Sequence, residues 1–109
     1  MRKLPLFPLG AAEPVQTLLD LAAMPNAALR AGSVKLSPNQ RVPAEGWSGH
    51  SAEELSLIVS GSLTGVCGGA EFQAGAGDVT LIPAGEQHWA VAGSDGAEIF
   101  WCWFGEVDG

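Results

Sequence analysis

No apolar run in these 109 residues is long enough to cross a bilayer as a helix, so a membrane-spanning helix is excluded. Basic residues are scarce and confined. The five of them, Arg2, Lys3, Arg30, Lys35 and Arg41, lie before position 42, and residues 42–109 carry ten acids with no Lys or Arg. A chain of net charge −7 arranged in this way repels a phosphate backbone, so no nucleic-acid partner is expected. The same surface tolerates a cation. An anionic ligand would need a metal, Arg30 or Arg41 as its counter-charge. Cysteine is limited to Cys67 and Cys102, with no C-x-x-C spacing. Two buried thiols in a cytosolic chain are expected, with a disulfide as the open alternative. Also missing are a G-x4-G-K-S/T phosphate loop, a G-x-S-x-G elbow and a paired C-x-x-C zinc knuckle. Internal repeats and linkers are absent, so one folded unit is expected.

What is present is apolar and heavily punctuated. Apolar residues make up 47% of the chain, which argues against disorder, and 15 glycines and 7 prolines break it into short pieces. The start, MRKLPLFPLG, has the basic flank of a signal peptide, but two prolines interrupt it and no clear cleavage site follows. It reads as a mature N-terminal strand over residues 4–9, in a cytoplasmic protein. Glu13-Pro14 opens a short helix, with Val15, Leu18, Leu19 and Ala22 on one apolar face and Pro25 at its end. Residues 1–26 are thus expected to pack on the outside of a barrel formed by residues 27–109.

From Ala27 onward only strands and turns are predicted, over 27–36, 40–47, 54–60, 62–67, 70–73, 78–82, 87–93 and 96–104. Turn signals separate them at Pro38-Asn39, Gly61, Gly68-Gly69, Gly75-Ala76-Gly77, Pro83-Ala84-Gly85 and Ser94-Asp95-Gly96. Short strands at this spacing predict an all-β sandwich or barrel. The segment Ile99-Phe100-Trp101-Cys102-Trp103-Phe104 is apolar on both faces, so its outer face needs a cover. The N-terminal helix or a second copy of the chain would serve, and a homodimer is favoured.

The chain has two histidines. His50 lies in GHSAEELSLIVSG, residues 49–61, and His88 in GDVTLIPAGEQH, residues 77–88. Two imidazoles and a carboxylate form a recognised ligand set for non-haem iron or zinc. The two segments resemble the paired motifs of the cupin superfamily, G-x5-H-x-H-x3–4-E-x6-G and G-x5-P-x-G-x2-H-x3-N. His50, Glu54 and Gly61 fall on the second histidine, the glutamate and the closing glycine of the first. Gly77, Pro83, Gly85 and His88 match the second in register. The resemblance spans roughly residues 33–104. It implies a double-stranded β-helix (jelly-roll) barrel, with a divalent ion (Fe, Mn, Ni or Zn) held by His50, Glu54 and His88.

The sequence departs from these motifs in two places. Ser48 takes the first-histidine position, and Ala92 the final asparagine. Pro38-Asn39 resembles the family's Pro-Gly turn, with Asn39 left-handed. About three extra residues near Ala44-Glu45-Gly46 would then precede Ser48, making Glu45 or Glu53 a candidate replacement ligand or base. Strand parity nevertheless turns Glu53 outward and Glu54 inward. Trp47 and Trp101 are candidate pocket walls, and Ser56 and Ser60, sharing parity with Glu54, are candidate polar anchors. The resemblance implies an enzyme on a small organic molecule, of dioxygenase, isomerase or lyase type. A ligand-sensing module, or a cupin inactive for want of the first histidine, are the alternatives.

Overall fold

Val, Ile and Leu alternating with small or polar residues favour extended chain throughout, and the described part of the chain is seven strands without a helix. The structure, a computed structural model, describes residues 1–24 and 27–106. The strands are β1 (Val15–Met24), β2 (Ala27–Leu36), β3 (Arg41–Val42), β4 (Glu53–Cys67), β5 (Ala70–Gly75), β6 (Val79–Ile82) and β7 (His88–Glu106). All pairings are antiparallel.

Two long strands organise the barrel. The first half of β4 pairs with β6 and with the second half of β7, whose other edge carries β2 and then β1. The second half of β4 pairs with β5 and with the first half of β7, beside β3. The ladder between β4 and β7 is interrupted at Ile58/Ser60 and Gly61/Leu63. There Gly61 adopts φ 76°, and a Cβ on it would strike the carbonyl oxygen of Gly96. The bulged strands bend at this line, so the two halves of the sheet turn their inner faces toward each other as a jelly roll. Leu36, Ile58, Leu63, Ala74, Ala90, Ala92, Ala97 and Ile99 fill the closed end.

Several expectations change. Residues 14–22 form no helix; β1 begins at Val15 and runs antiparallel to β2. Its apolar spacing suits less than three helical turns, too few to stand alone, whereas the open edge of β2 offers a full ladder to Val15 and Thr17, β-branched residues suited to a strand. The expected stop at Pro25 lies outside the described residues. Residues 4–9 are not a strand; Pro5 and Pro8 have no N–H to give a ladder. The strand expected over 40–47 is confined to Arg41–Val42. Gly61 and Ser94-Asp95-Gly96 bend long strands rather than reverse the chain. Asn39 is left-handed, with φ 62°, and both cysteines are free.

With residues 15–24 in the sheet, no helix among the described residues covers its outer face. Leu55, Leu57, Val59, Val79, Leu81 and Phe104 are exposed there. Among the described residues no helix is long and apolar enough to cross a membrane.

Candidate metal centre

Cross-strand partners point the same way, so strand register determines which side chains meet inside. Arg30, Trp103, Glu54 and Ile82 form one row across β2, β7, β4 and β6. The next row is Gly32, Trp101, Ser56 and Thr80, and the third is Val34, Ile99 and Ile58. Every side chain in these rows lines a cavity of about 930 Å³. Leu63, Phe72 and Ala90, from the other half of the sheet, form the facing wall. The floor is apolar, and polar groups gather toward the mouth.

His88 begins β7, where its N–H and C=O exchange hydrogen bonds with the backbone of Ser48 at 2.8 and 2.9 Å. His50 lies in the loop before β4, not on a strand. Its carbonyl accepts a hydrogen bond from the Gly85 N–H at 2.7 Å, so the Pro83-Ala84-Gly85 turn ties one histidine segment to the other. The Nδ1 of His50 is 2.8 Å from the carbonyl of Ala52, and the Nδ1 of His88 is 3.2 Å from that of Glu86. A carbonyl only accepts, so each Nδ1 carries the hydrogen, and in the neutral ring each Nε2 keeps a free lone pair. This backbone support for the remote nitrogen is the usual companion of metal-ligating imidazole.

Ligand atoms of His50, Glu54 and His88 all lie within 4.8 Å of one another. Ligands sharing one ion at about 2.0–2.2 Å stand roughly 3–4 Å apart, so the three need close by no more than about 1–2 Å. The Nε2 of His50 is buried with no hydrogen-bond partner, and it faces the Glu54 Oε1 at 3.5 Å. Two acceptors pointed at each other repel unless a positive charge sits between them. The donor set and this orphaned nitrogen fit a divalent ion.

The remaining candidates separate. Ser48, Ser56 and Trp101 line the cavity, and the Trp101 Nε1 is a buried donor without a partner. Glu53 heads β4 opposite Phe104, on the outward parity, and lines no part of the cavity. Glu45 is exposed on the loop after β3. Trp47 is also off the cavity, half exposed and edge-on to Trp89 at 6.5 Å. Ser60 donates to the Glu98 Oε1 at 2.7 Å instead of facing inward. The bulge between Ile58 and Ser60 reverses its parity, which period-two counting from Glu54 could not detect.

Sequence reasoning missed Trp103, whose ring meets that of His50 edge-on at 5.7 Å, and Thr80. The alternation of Trp101 and Trp103 in β7 was the available signal. Cys67, directly opposite His88, was also missed. Burial, its hydrogen bond to the Glu86 carboxylate at 3.3 Å, and the charges of Glu86 and Glu54 push its thiol up to about 11. In the metal-free protein it is therefore a protonated neighbour of the site at neutral pH.

The profile of the cupin domain family, Cupin_2, matches residues 32–104, and the chain belongs to that family. No curated protein matches it. Among solved structures it is similar to a protein of unknown function from Rhizobium leguminosarum bv. viciae 3841. The TM-score is 0.73 at 18% identity, over 94% of this chain and 95% of that one. It is similar to a Cupin 2 conserved barrel domain protein from Salinispora arenicola CNS-205, with TM-score 0.68 at 23% identity over 94% and 89%. It is also similar to the DMSP lyase DddQ from Ruegeria pomeroyi DSS-3, with TM-score 0.61 at 20% identity over 79% of this chain and 42% of that one. At these identities the likeness is one of fold.

Proposed function

We propose that this chain is a metal-dependent cupin enzyme whose His50, Glu54 and His88 hold a divalent ion at the mouth of the cavity, with a small organic molecule as substrate. The observation that carries this reading is the buried, unpartnered Nε2 of His50, facing a carboxylate oxygen while its Nδ1 is committed to a backbone carbonyl. When bound, the ion supplies Lewis-acid polarisation or a site for oxygen activation. Ser56 and Thr80 offer hydroxyls, and Trp101 an N–H, to polar atoms of the substrate. The apolar row beneath them, Val34, Ile99 and Ile58, disfavours water. A reaction at carbon next to a carbonyl or leaving group, of lyase, isomerase or dioxygenase type, suits this environment, and one fold neighbour is a lyase.

Elemental analysis of untagged protein purified without chelator tests the reading. About one Fe, Mn, Ni or Zn per chain is expected, falling to background in His50→Ala/His88→Ala. Metal-free wild-type protein that also fails to bind added ion overturns it. Ser48, in place of the first motif histidine, favours a second reading, a ligand sensor without turnover. A thermal shift from small metabolites in metal-free protein would support that one. We further propose that a second copy of the chain covers Leu55, Leu57, Val79 and Leu81 on the outer face.

A further inference from the structure

The cavity rows place a cation beside the candidate metal centre. Among the described residues lining the cavity, Arg30 is the only Lys or Arg. It stands in the same cross-strand row as Glu54, with Trp103 between them. Its guanidinium lies over the Trp103 ring, 4.9 Å from the centroid, and that ring meets the imidazole of His50. Asp20 on β1 approaches the Arg30 Nε at 3.1 Å. The stack and the ion pair hold the guanidinium plane, and with Asp20 paired at Nε the Nη nitrogens are donors for a planar anion. Half exposure of both partners makes the pair with Asp20 a weak competitor.

The other candidate cation is committed elsewhere. Arg41 donates through Nη1 to the carbonyl of Pro43 and through Nη2 to that of Gly46, at 2.9 and 2.8 Å, and it stacks on Trp89. Charge balance points the same way. A divalent ion would outweigh the single charge of Glu54, and Arg30 is offset only by its half-exposed pair with Asp20, in a chain of net charge −7. The buried Trp101 N–H, one row deeper, needs an acceptor that the described residues do not supply.

We propose that the cavity takes a small organic acid, its carboxylate held by Arg30 across the face of Trp103 and its other end directed to His50, Glu54 and His88. This substrate class rests on the metal reading above. Arg30 and Glu54 are two strand spacings apart, roughly 10 Å between backbones, a gap that the side chains and a short organic acid bridge. Arg30 acts as a binding and specificity residue, through a charge-assisted, two-pronged hydrogen bond.

The test is calorimetric titration of metal-loaded protein with lactate, malate, benzoate and salicylate, each beside its neutral amide, at constant ionic strength. At least one acid is expected to bind at least tenfold more tightly than its amide. Arg30→Gln should weaken that acid about tenfold to hundredfold and leave the amide unchanged. Metal content should be equal in the variant and the wild type. Parallel titrations in chelator separate the two proposals. Acid binding that depends on Arg30 in protein that never retains metal would sink the metal reading and keep the anion site. A full complement of metal, with an acid preference unchanged by Arg30→Gln or with no acid preferred over its amide, would sink the anion site and keep the metal reading.

Discussion

Replacing Glu54 by Gln separates a metal ligand from a structural ion pair by the sign of its effect on stability. The Nε2 of His50 is buried and unpartnered, 3.5 Å from the Glu54 Oε1, and both side chains are about one-fifth exposed. A glutamine amide at the same position turns the facing acceptor into a donor. A shift of about half an ångström brings its N–H within hydrogen-bond distance of that nitrogen. One new hydrogen bond to a previously unsatisfied buried group stabilises by about 1 kcal/mol, or about 4 °C in Tm for a domain of this size. The neutral amide is also a much poorer ligand for a divalent ion. Wild-type protein with Ni²⁺ or Mn²⁺ at a hundredfold above Kd should gain about 2.7 kcal/mol, and Glu54→Gln should gain nearly none. The two melting temperatures therefore cross: Glu54→Gln is the more stable protein in chelator at pH 8 and the less stable with metal. Differential scanning calorimetry of both proteins in both buffers reads this directly. Glu54→Gln melting below wild type in chelator would show a structural His50–Glu54 ion pair and refute the reasoning, as would equal gains from metal.

Four further outcomes are expected. Gly32→Ala should lower Tm by at least about 4 °C, the effect of about 1–3 kcal/mol of overpacking. A Cβ there would meet the Trp101 ring at 2.5 Å on one side and the backbone oxygen of Gln16 on the other, and a change under 1 °C would refute that packing. Cys67 should resist iodoacetamide at pH 8 and react only as pH approaches its raised value of about 11, as read by mass spectrometry of the labelled peptide. Because the unfolded chain ionises near the ordinary value of 9.0 and the folded chain later, the stability linked to this thiol is complete below about pH 9 and lost by about pH 11. Cys67→Ser should remove that part of the alkaline decline. Leu57→Glu should convert a dimer to a monomer in gel filtration with light scattering, and wild-type protein eluting as a monomer would discard the covered outer face.

The barrel was legible because its signals are local. Turn residues between short apolar runs, Asn39 in its left-handed turn, and two motif segments in order all act within a few residues of themselves. The inward parity of Glu54 and the outward parity of Glu53 followed from period-two alternation over an unbroken stretch of β4. Local reasoning failed where a partner strand decides. Val15, Leu18, Leu19 and Ala22 fit a helix by spacing, yet the free edge of β2 drew them into a strand. A bulge just past Ile58 turned Ser60 out to Glu98.

By itself, then, the sequence determined the class of fold, the chemistry of the candidate ligands and the lack of cations beyond residue 41, because residue types and turn spacing carry these properties wherever the chain goes. Tertiary structure alone decided which groups share the cavity. Arg30, Trp103 and Glu54 are neighbours only through the registers of β2, β7 and β4, and the lone pairs of His50 and His88 are aimed by carbonyls of the surrounding loops. Register and backbone hydrogen bonding depend on strands distant along the chain, so no local pattern encodes them.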